Sequence, residues 1–145
     1  MSPRTRAEMA AIIHAIPLFS HLGRTELRAV AKLCYEETYA PEQVILKQLD
    51  EAQHLVAIVQ GTARVTRDGR TIATVGPGDV IGEIALIDGL KRSAGVVAET
   101  EVDGLILHRK AFRDLLETSP SIAMKLLLAQ TARLREADKK LAALG

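Results

Sequence analysis

The sequence predicts an α+β domain: a β-barrel or jelly roll (a double-stranded β-helix) flanked by N-terminal helices and a long C-terminal helix. Three observations support this prediction. Helical spacing fills residues 5–34, short β-type runs separated by turn residues fill residues 36–108, and a helical pattern returns over residues 110–143. Because internal repeats and low-complexity linkers are absent, we expect residues 1–145 to form a single domain.

Composition argues against several classes of protein. The 19 Lys and Arg residues are balanced by 18 Asp and Glu residues, so no global basic field exists to hold DNA or an anionic membrane. The only cysteine, Cys34, excludes an internal disulfide, and the four histidines are too scattered for a metal site. The spacing of residues indicates neither a Ser/His/Asp nor a Cys/His catalytic arrangement, and the N-terminus does not have the pattern of a signal peptide. We therefore expect a cytoplasmic protein that is not an enzyme and needs no cofactor.

The N-terminal segment has the pattern of a helix, a turn and a second helix. Residues 17–20 (Pro-Leu-Phe-Ser) interrupt the first helix, and residues 23–25 (Gly-Arg-Thr) open the second. Leu27, Val30 and Cys34 then recur at helical spacing. This pattern predicts one buried helix face, on which Cys34 acts as a small buried hydrophobe.

The central segment contains the signals of short paired strands. Asp68-Gly69 lies between the β-type runs 63–66 and 71–75, which predicts a tight hairpin. We also expect residues 95–99 and 102–107 to pair with each other around the short turn that joins them. Many short strands with closely spaced turns are typical of a small barrel or jelly roll.

Residues 76–94 contain the groups that could bind a small ligand. Gly82 permits a sharp turn, and the short helix expected after it leaves unpaired main-chain N–H groups, which attract anions. Arg92 supplies a planar guanidinium that can bind two phosphate oxygens, and Ser93 adds a hydroxyl donor. Glu83 would repel a phosphate, but it can accept a hydrogen bond from a sugar hydroxyl. Together these groups describe a pocket for a phosphate joined to a ribose.

The run from Gly82 to Leu86, followed nine positions after Glu83 by Arg92-Ser93-Ala94, resembles the phosphate-binding cassette of cyclic-nucleotide-binding domains. Such domains occur in bacterial catabolite-activator regulators, protein kinase A regulatory subunits and cyclic-nucleotide-gated channels. The resemblance extends over nearly the whole chain. It implies that Glu83 binds the ribose 2′-hydroxyl and that Arg92 binds the exocyclic phosphate oxygens. The ligand-binding residues it implies are Gly82, Glu83, Ile84, Ala85, Leu86, Arg92, Ser93 and Ala94, with main-chain N–H groups near Ala85 and Leu86 helping to hold the phosphate.

The chain departs from the family pattern at several positions. Leu49 and Ala52 stand where glycine is common, so we expect their loop to be shaped differently and to lie away from the phosphate. Lys91 replaces a frequent proline, and Gly95 stands where a side chain often covers the base. The choice between cyclic AMP and cyclic GMP therefore stays open. A purely structural alternative also stays open, in which Arg92 forms a surface or interface salt bridge.

The last helix carries two apolar stripes. One stripe, which could pack on the barrel, contains Ile122, Leu126 and Ala129. The other has the alternating spacing of a coiled-coil seam and predicts a homodimer through residues 122–141; its members are Met124, Leu127, Thr131, Leu134, Asp138 and Leu141. The alternative is a single amphipathic helix docked on its own domain. From the resemblance, Thr131 and Asp138 are possible base contacts.

The sequence therefore predicts a cyclic-nucleotide sensor, for cyclic AMP or alternatively cyclic GMP. It would report ligand occupancy through its C-terminal helix to a dimer or an unidentified downstream protein. Basic and acidic residues alternate along that helix, so we expect no direct DNA binding, and no membrane contact. Two alternatives stay open: a ligand-free interaction or dimerisation module, and the sensor half of a truncated transcription regulator.

Overall fold

Two four-stranded sheets form the β part of the computed structural model, which describes residues 4–51, 53–83 and 85–144. Their strand orders are β1-β8-β3-β6 and β2-β7-β4-β5, and every pairing is antiparallel. Most consecutive strands alternate between the two sheets, as in a jelly roll. The predicted fold class is thus confirmed. The strands are β1 (Tyr35–Tyr39), β2 (Val44–Leu46), β3 (His54–Gln60), β4 (Ala63–Arg67), β5 (Arg70–Val75), β6 (Val80–Ile81), β7 (Gly95–Ala98) and β8 (Val102–His108).

The predicted hairpin is present, but one predicted strand pair is wrong. β4 and β5 pair through a turn in which Asp68 and Gly69 have φ angles of 52° and 79°. β7 pairs with β2 and β4, whereas β8 pairs with β1 and β3 in the other sheet. The connection between β7 and β8 therefore crosses from one sheet to the other, and the N–H groups of Glu99 and Thr100 within it donate to the carbonyl oxygen of Thr62. Closeness in sequence could not reveal this crossing between sheets.

Helices cover one side of the β part. They are α1 (Arg6–His14), α2 (Arg24–Ala31), α3 (Ala85–Asp88), α4 (Arg109–Thr118) and α5 (Pro120–Leu144), with a 3-10 turn at Pro17–Phe19. One apolar cluster joins the helices to β3 and β8, and its centre holds an edge-to-face pair of Phe19 and Phe112 with ring centroids 5.5 Å apart. A second cluster fills the space between the sheets. Cys34 is half-buried, and burial raises its thiol pKa to about 12, so it stays protonated.

The two halves of α5 have different surroundings. Ile122, Leu126 and Ala129 are buried against the rest of the chain, as their stripe predicts. Glu26 of α2 fixes this half, because it accepts hydrogen bonds from Lys125 Nζ at 2.5 Å and from Ser121 Oγ at 3.2 Å. Beyond Gln130, every side chain through residue 143 is exposed. The second half of α5 therefore buries little surface, although Arg133 still contacts Glu83 and one face of this half lines a groove beside Pro17, Ser20 and His21.

Within the described ranges, no helix is both long enough and apolar enough to cross a membrane.

Candidate ligand-binding site

Arg92 is the buried cation of the candidate site. Only 8% of the residue is exposed, and its Nη2 donates to the carbonyl oxygen of His54 at 2.5 Å. None of the ion pairs among the described residues includes Arg92. Burial lowers the pKa of the guanidinium, and the charge of Asp50 opposes this effect. Because a buried charge without a paired counter-ion is costly, this position favours binding of an anion.

Gly82 makes room for the Arg92 guanidinium. Gly82 has a φ of +84°, and a Cβ placed there would lie 2.7 Å from Arg92 Nη1 and 3.0 Å from the carbonyl oxygen of His54. A side chain would therefore strain the backbone and collide with both groups. The glycine that ends β6 is thus a steric requirement for the position of Arg92.

Arg92 faces an open cavity of about 530 Å³, within the usual size range of small-molecule sites. Apolar side chains from β2, β6 and the cassette form part of its wall. Charged side chains of both signs also line it: the cations are Lys91, Arg92 and Arg133, and the carboxylates are Glu83 and Asp88. The predicted site residues that line this cavity are Gly82, Glu83, Arg92, Ser93 and Ala94.

Glu83 is already paired in this structure. Arg133 Nη1 of α5 donates to Glu83 Oε1 at 2.6 Å, and only 12% of the Glu83 side chain is exposed. Arg133 itself is 45% exposed and lines the cavity. A helix outside the cassette therefore occupies the carboxylate for which the resemblance implies a sugar contact.

The remaining cassette residues differ in what they offer a ligand. The Leu86 side chain is fully buried, and its N–H donates to the carbonyl oxygen of Gly82 at 3.0 Å. The N–H group expected to hold the phosphate is thus used within the chain here. Ile84 lies outside the described residues, and Ala85 is described only as the first residue of α3.

The structure does not bring Thr131 and Asp138 to the cavity. At 100° per residue, both lie on the side of α5 opposite Arg133. Thr131 Oγ1 donates to the carbonyl oxygen of Leu127 within the helix at 2.9 Å. Thr131 and Asp138 are both exposed. They share this outward face with the predicted seam, where Leu134 and Leu141 are more than 60% exposed.

Sequence reasoning missed the main-chain groups that hold Arg92 in place. Leu49 N–H donates to the Arg92 carbonyl oxygen, and Arg92 N–H donates to that of Asp50, both at 2.9 Å. The loop thus pairs with the Arg92 main chain, but residues 47–51 and 53 are not among those lining the cavity, so its placement away from the phosphate stays a prediction. Leu49 has a φ of 73°, so the backbone has the glycine-like turn although the glycine is missing. A glycine at this position, which is common in the family, would have indicated the positive φ from the sequence alone.

Two further partners were missed because they are distant in sequence. Arg133 gave no local signal, since it stands 50 positions from Glu83. Arg67 of the β4–β5 hairpin donates from Nε to the Ser93 carbonyl oxygen at 3.2 Å. Side-chain spacing within a motif cannot reveal such contacts between elements.

His54 contributes a neutral ring beside the cation. Burial, the charge of Arg92 and the neighbouring His108 lower the pKa of His54 to about 4. The His54 and His108 ring centroids are 5.7 Å apart, and His108 Nε2 lies 2.7 Å from the Tyr35 hydroxyl. At neutral pH, His54 is therefore uncharged and adds no second positive charge beside Arg92.

Comparison with known proteins agrees with this geometry. The profile of the family described as "Cyclic nucleotide-binding domain" matches residues 36–119, which is more than half of the chain. The match includes the cavity-lining cassette and the strands that carry it. This chain belongs to the cyclic nucleotide-binding domain family, as the resemblance predicted.

Individual relatives extend the similarity beyond that segment. The chain is 33% identical over 130 residues to the cyclic AMP receptor protein of Thermus thermophilus, covering 86% of this chain and 60% of that protein. The N-terminal domain of a transcriptional regulator from Streptomyces coelicolor A3(2) superposes with a TM-score of 0.80 at 30% identity, covering 90% of this chain and 94% of that one. A cyclic nucleotide-binding domain from Methylobacillus flagellatus gives 0.72 at 30% identity, covering 97% and 84%. The chain thus spans less than two thirds of the Thermus protein's length.

Proposed function

We propose that this chain is a non-catalytic, cytoplasmic sensor that binds one cyclic nucleotide in the cavity around Arg92. The buried guanidinium facing that cavity, which forms no ion pair with any described residue, is the observation that supports the proposal most strongly. The cyclic phosphate would supply the missing counter-charge. Gly82 leaves room for the Arg92 guanidinium and would let the backbone approach the sugar. Glu83 would accept the hydrogen bond of the ribose 2′-hydroxyl.

We propose cyclic AMP as the ligand, with cyclic GMP as the alternative. The name of the Thermus relative supports cyclic AMP. Thr131 and Asp138 stay predicted base contacts. Because they face away from the cavity of their own chain, they could reach a base only after α5 moves, or from a second copy.

The ion pair between Glu83 and Arg133 supports the proposal that α5 transmits ligand occupancy. The ribose and Arg133 would need the same carboxylate, so ligand binding would compete with the present position of α5. A ligand can shift such an equilibrium only through different affinities for the two states. Competition for Glu83 supplies that difference.

A homodimer through residues 122–141 of α5 is the output that the exposed seam supports. Its apolar members are between 57% and 67% exposed: Met124, Leu127, Leu134 and Leu141. A coiled coil with a second copy would bury them. An unidentified downstream protein is the alternative partner, and the mixture of acidic and basic residues on α5 argues against direct DNA contact by the described residues.

Calorimetry with cyclic AMP and with cyclic GMP tests the proposed site. Arg92→Ala should weaken binding by about 3–5 kcal/mol, because the phosphate would lose its buried partner. Arg70→Ala is the matched control, since Arg70 is exposed on the β4–β5 hairpin. Equal binding by wild type and Arg92→Ala would contradict the mechanism. Failure of the wild type to bind either nucleotide at millimolar concentration would favour the ligand-free interaction module instead.

A further inference from the structure

Arg109 packs against the backbone of the cassette. A Cβ placed on Gly89 would lie 2.4 Å from Arg109 Cζ, 2.6 Å from Nη2 and 2.7 Å from Nε. The guanidinium therefore occupies the volume that any other residue at position 89 would need. Gly89 also has a φ of +67°, so the turn needs glycine for its conformation as well.

The Gly89 turn belongs to the ligand cavity. It joins the end of α3 to the segment that carries Arg92, and its flanking residues Asp88 and Leu90 both line the cavity. Within the turn, Leu90 N–H donates to Asp88 Oδ1 at 2.9 Å. A shift of Gly89 would therefore displace two residues that line the cavity and the backbone segment that leads to Arg92.

Arg109 is anchored on the other side. It is the first residue of α4, and its main-chain N–H donates to the Gln53 carbonyl oxygen at 2.8 Å. Its Nε is buried and has no hydrogen-bond partner among the described residues. Arg109 thus makes no ion pair with the cassette within the described ranges, and close packing is the contact that connects them.

We propose that Arg109 is a positioning residue for the nucleotide site: its guanidinium supports the Gly89 turn and couples the cassette to α4. This inference rests on the proposed function and adds a second connection, besides the pair of Glu83 and Arg133, between the cavity and the C-terminal helices. α4 leads directly into α5, so a ligand-driven movement of the turn would reach α5 through Arg109.

Packing of this kind makes the two residues interdependent. Arg109→Ala removes the support, so the turn becomes less well positioned and cyclic AMP should bind at least fivefold more weakly. Arg109→Lys should behave similarly, because an ammonium cannot replace the flat guanidinium surface. If only the positive charge mattered, lysine would restore the affinity.

A double-mutant cycle on cyclic AMP affinity, measured by calorimetry with folded variants, tests the coupling. Gly89→Ala should weaken binding at least tenfold in the wild type, because its methyl group displaces the guanidinium. The same change in Arg109→Ala should cost less than threefold, because the space is then free. The backbone cost of alanine at positive φ is common to both backgrounds and cancels. Arg113→Ala, at an exposed arginine of α4, is the control and should bind as the wild type does.

Hydrogen exchange gives a readout that a purely structural role would not change. Cyclic AMP should slow amide exchange at the start of α4 in the wild type and in Arg113→Ala, but not in Arg109→Ala. Equal costs of Gly89→Ala in both backgrounds, or unchanged affinity in Arg109→Ala, would overturn this inference while leaving the proposed function intact. A wild type that binds neither cyclic AMP nor cyclic GMP would overturn both.

Discussion

At the scale of single residues, the site depends on where Arg92 is held. Its guanidinium is buried, donates to the carbonyl of His54 and packs over Gly82. The main chains of Leu49 and Asp50 fix the backbone on its other side. Side-chain freedom is therefore largely removed before any ligand arrives, which lowers the entropy cost of binding.

Gly82→Ala should weaken cyclic-nucleotide binding at least tenfold and lower the free energy of unfolding by about 1–3 kcal/mol, because its methyl group meets Arg92 and the backbone is strained. Gly69→Ala is the matched control: Gly69 has a similar φ of +79°, but apart from its chain neighbours no described residue has an atom within 4 Å of its Cβ position. Calorimetry and denaturant unfolding of both variants measure the difference. Equal effects would show that φ alone matters.

Leu49→Gly should raise the free energy of unfolding by about 0.5–1 kcal/mol, because it relieves a left-handed backbone that disfavours leucine. Little packing is lost, since Leu49 is 68% exposed. Lys47→Gly, in the same loop at ordinary φ, should instead be destabilising. Urea unfolding compares the variants, and a less stable Leu49→Gly would contradict the strain argument.

At the scale of elements, the cassette is in contact with two helices at once. Arg133 of α5 holds Glu83, and Arg109 of α4 packs on Gly89. Neither arginine belongs to the cassette itself. The position of the cassette is therefore linked to the position of both C-terminal helices.

Arg133→Ala should tighten cyclic AMP binding about two- to fivefold, because a partly exposed ion pair that competes for Glu83 is worth about 1 kcal/mol or less. Removing this pair should also reduce the dependence of affinity on salt. Arg135→Ala, at an exposed arginine on the same helix, should leave affinity unchanged. Weaker binding by Arg133→Ala would mean that Arg133 contacts the ligand instead.

Elements were easier to predict than the contacts between them. The order of helices and strands and the β4–β5 hairpin follow from local patterns, and Glu83 and Arg92 stand only nine positions apart in the sequence. The strand partners of β7 depend on packing in the core, which no local pattern records. Arg133 and the His54 carbonyl could not be found either, because one is remote in sequence and the other is a main-chain atom.

At the scale of the whole molecule, pH should change stability through His54. Its pKa is about 4 in the folded state against an ordinary 6.5, so the unfolded chain binds more protons between these values. Stability is therefore full above about pH 6.5 and falls as pH decreases toward 4, by roughly 1 kcal/mol at pH 5. His54→Gln should flatten this dependence in urea unfolding across that range. His21→Gln, at an exposed histidine, should retain it.

Assembly of the whole molecule should respond to Asp138. In a parallel pair of α5 helices, symmetry would bring two Asp138 carboxylates together in the seam. Asp138→Leu should therefore strengthen the homodimer at least tenfold, whereas Lys139→Leu, outside the seam, should not. Sedimentation equilibrium measures both. A monomeric Asp138→Leu at high micromolar concentration would rule out this seam as the interface.

The exposed second half of α5 would move as a lever arm if the helix tilted, because it is one continuous helix. From Ala129, the last buried residue of the helix, to Leu144 it is about 22 Å long at 1.5 Å per residue. Tilting it by about 10° near Ala129 would swing the tip by about 4 Å. A small tilt near the cavity would thereby become a displacement of the helix tip comparable to the width of a side chain, large enough to join or separate two surfaces.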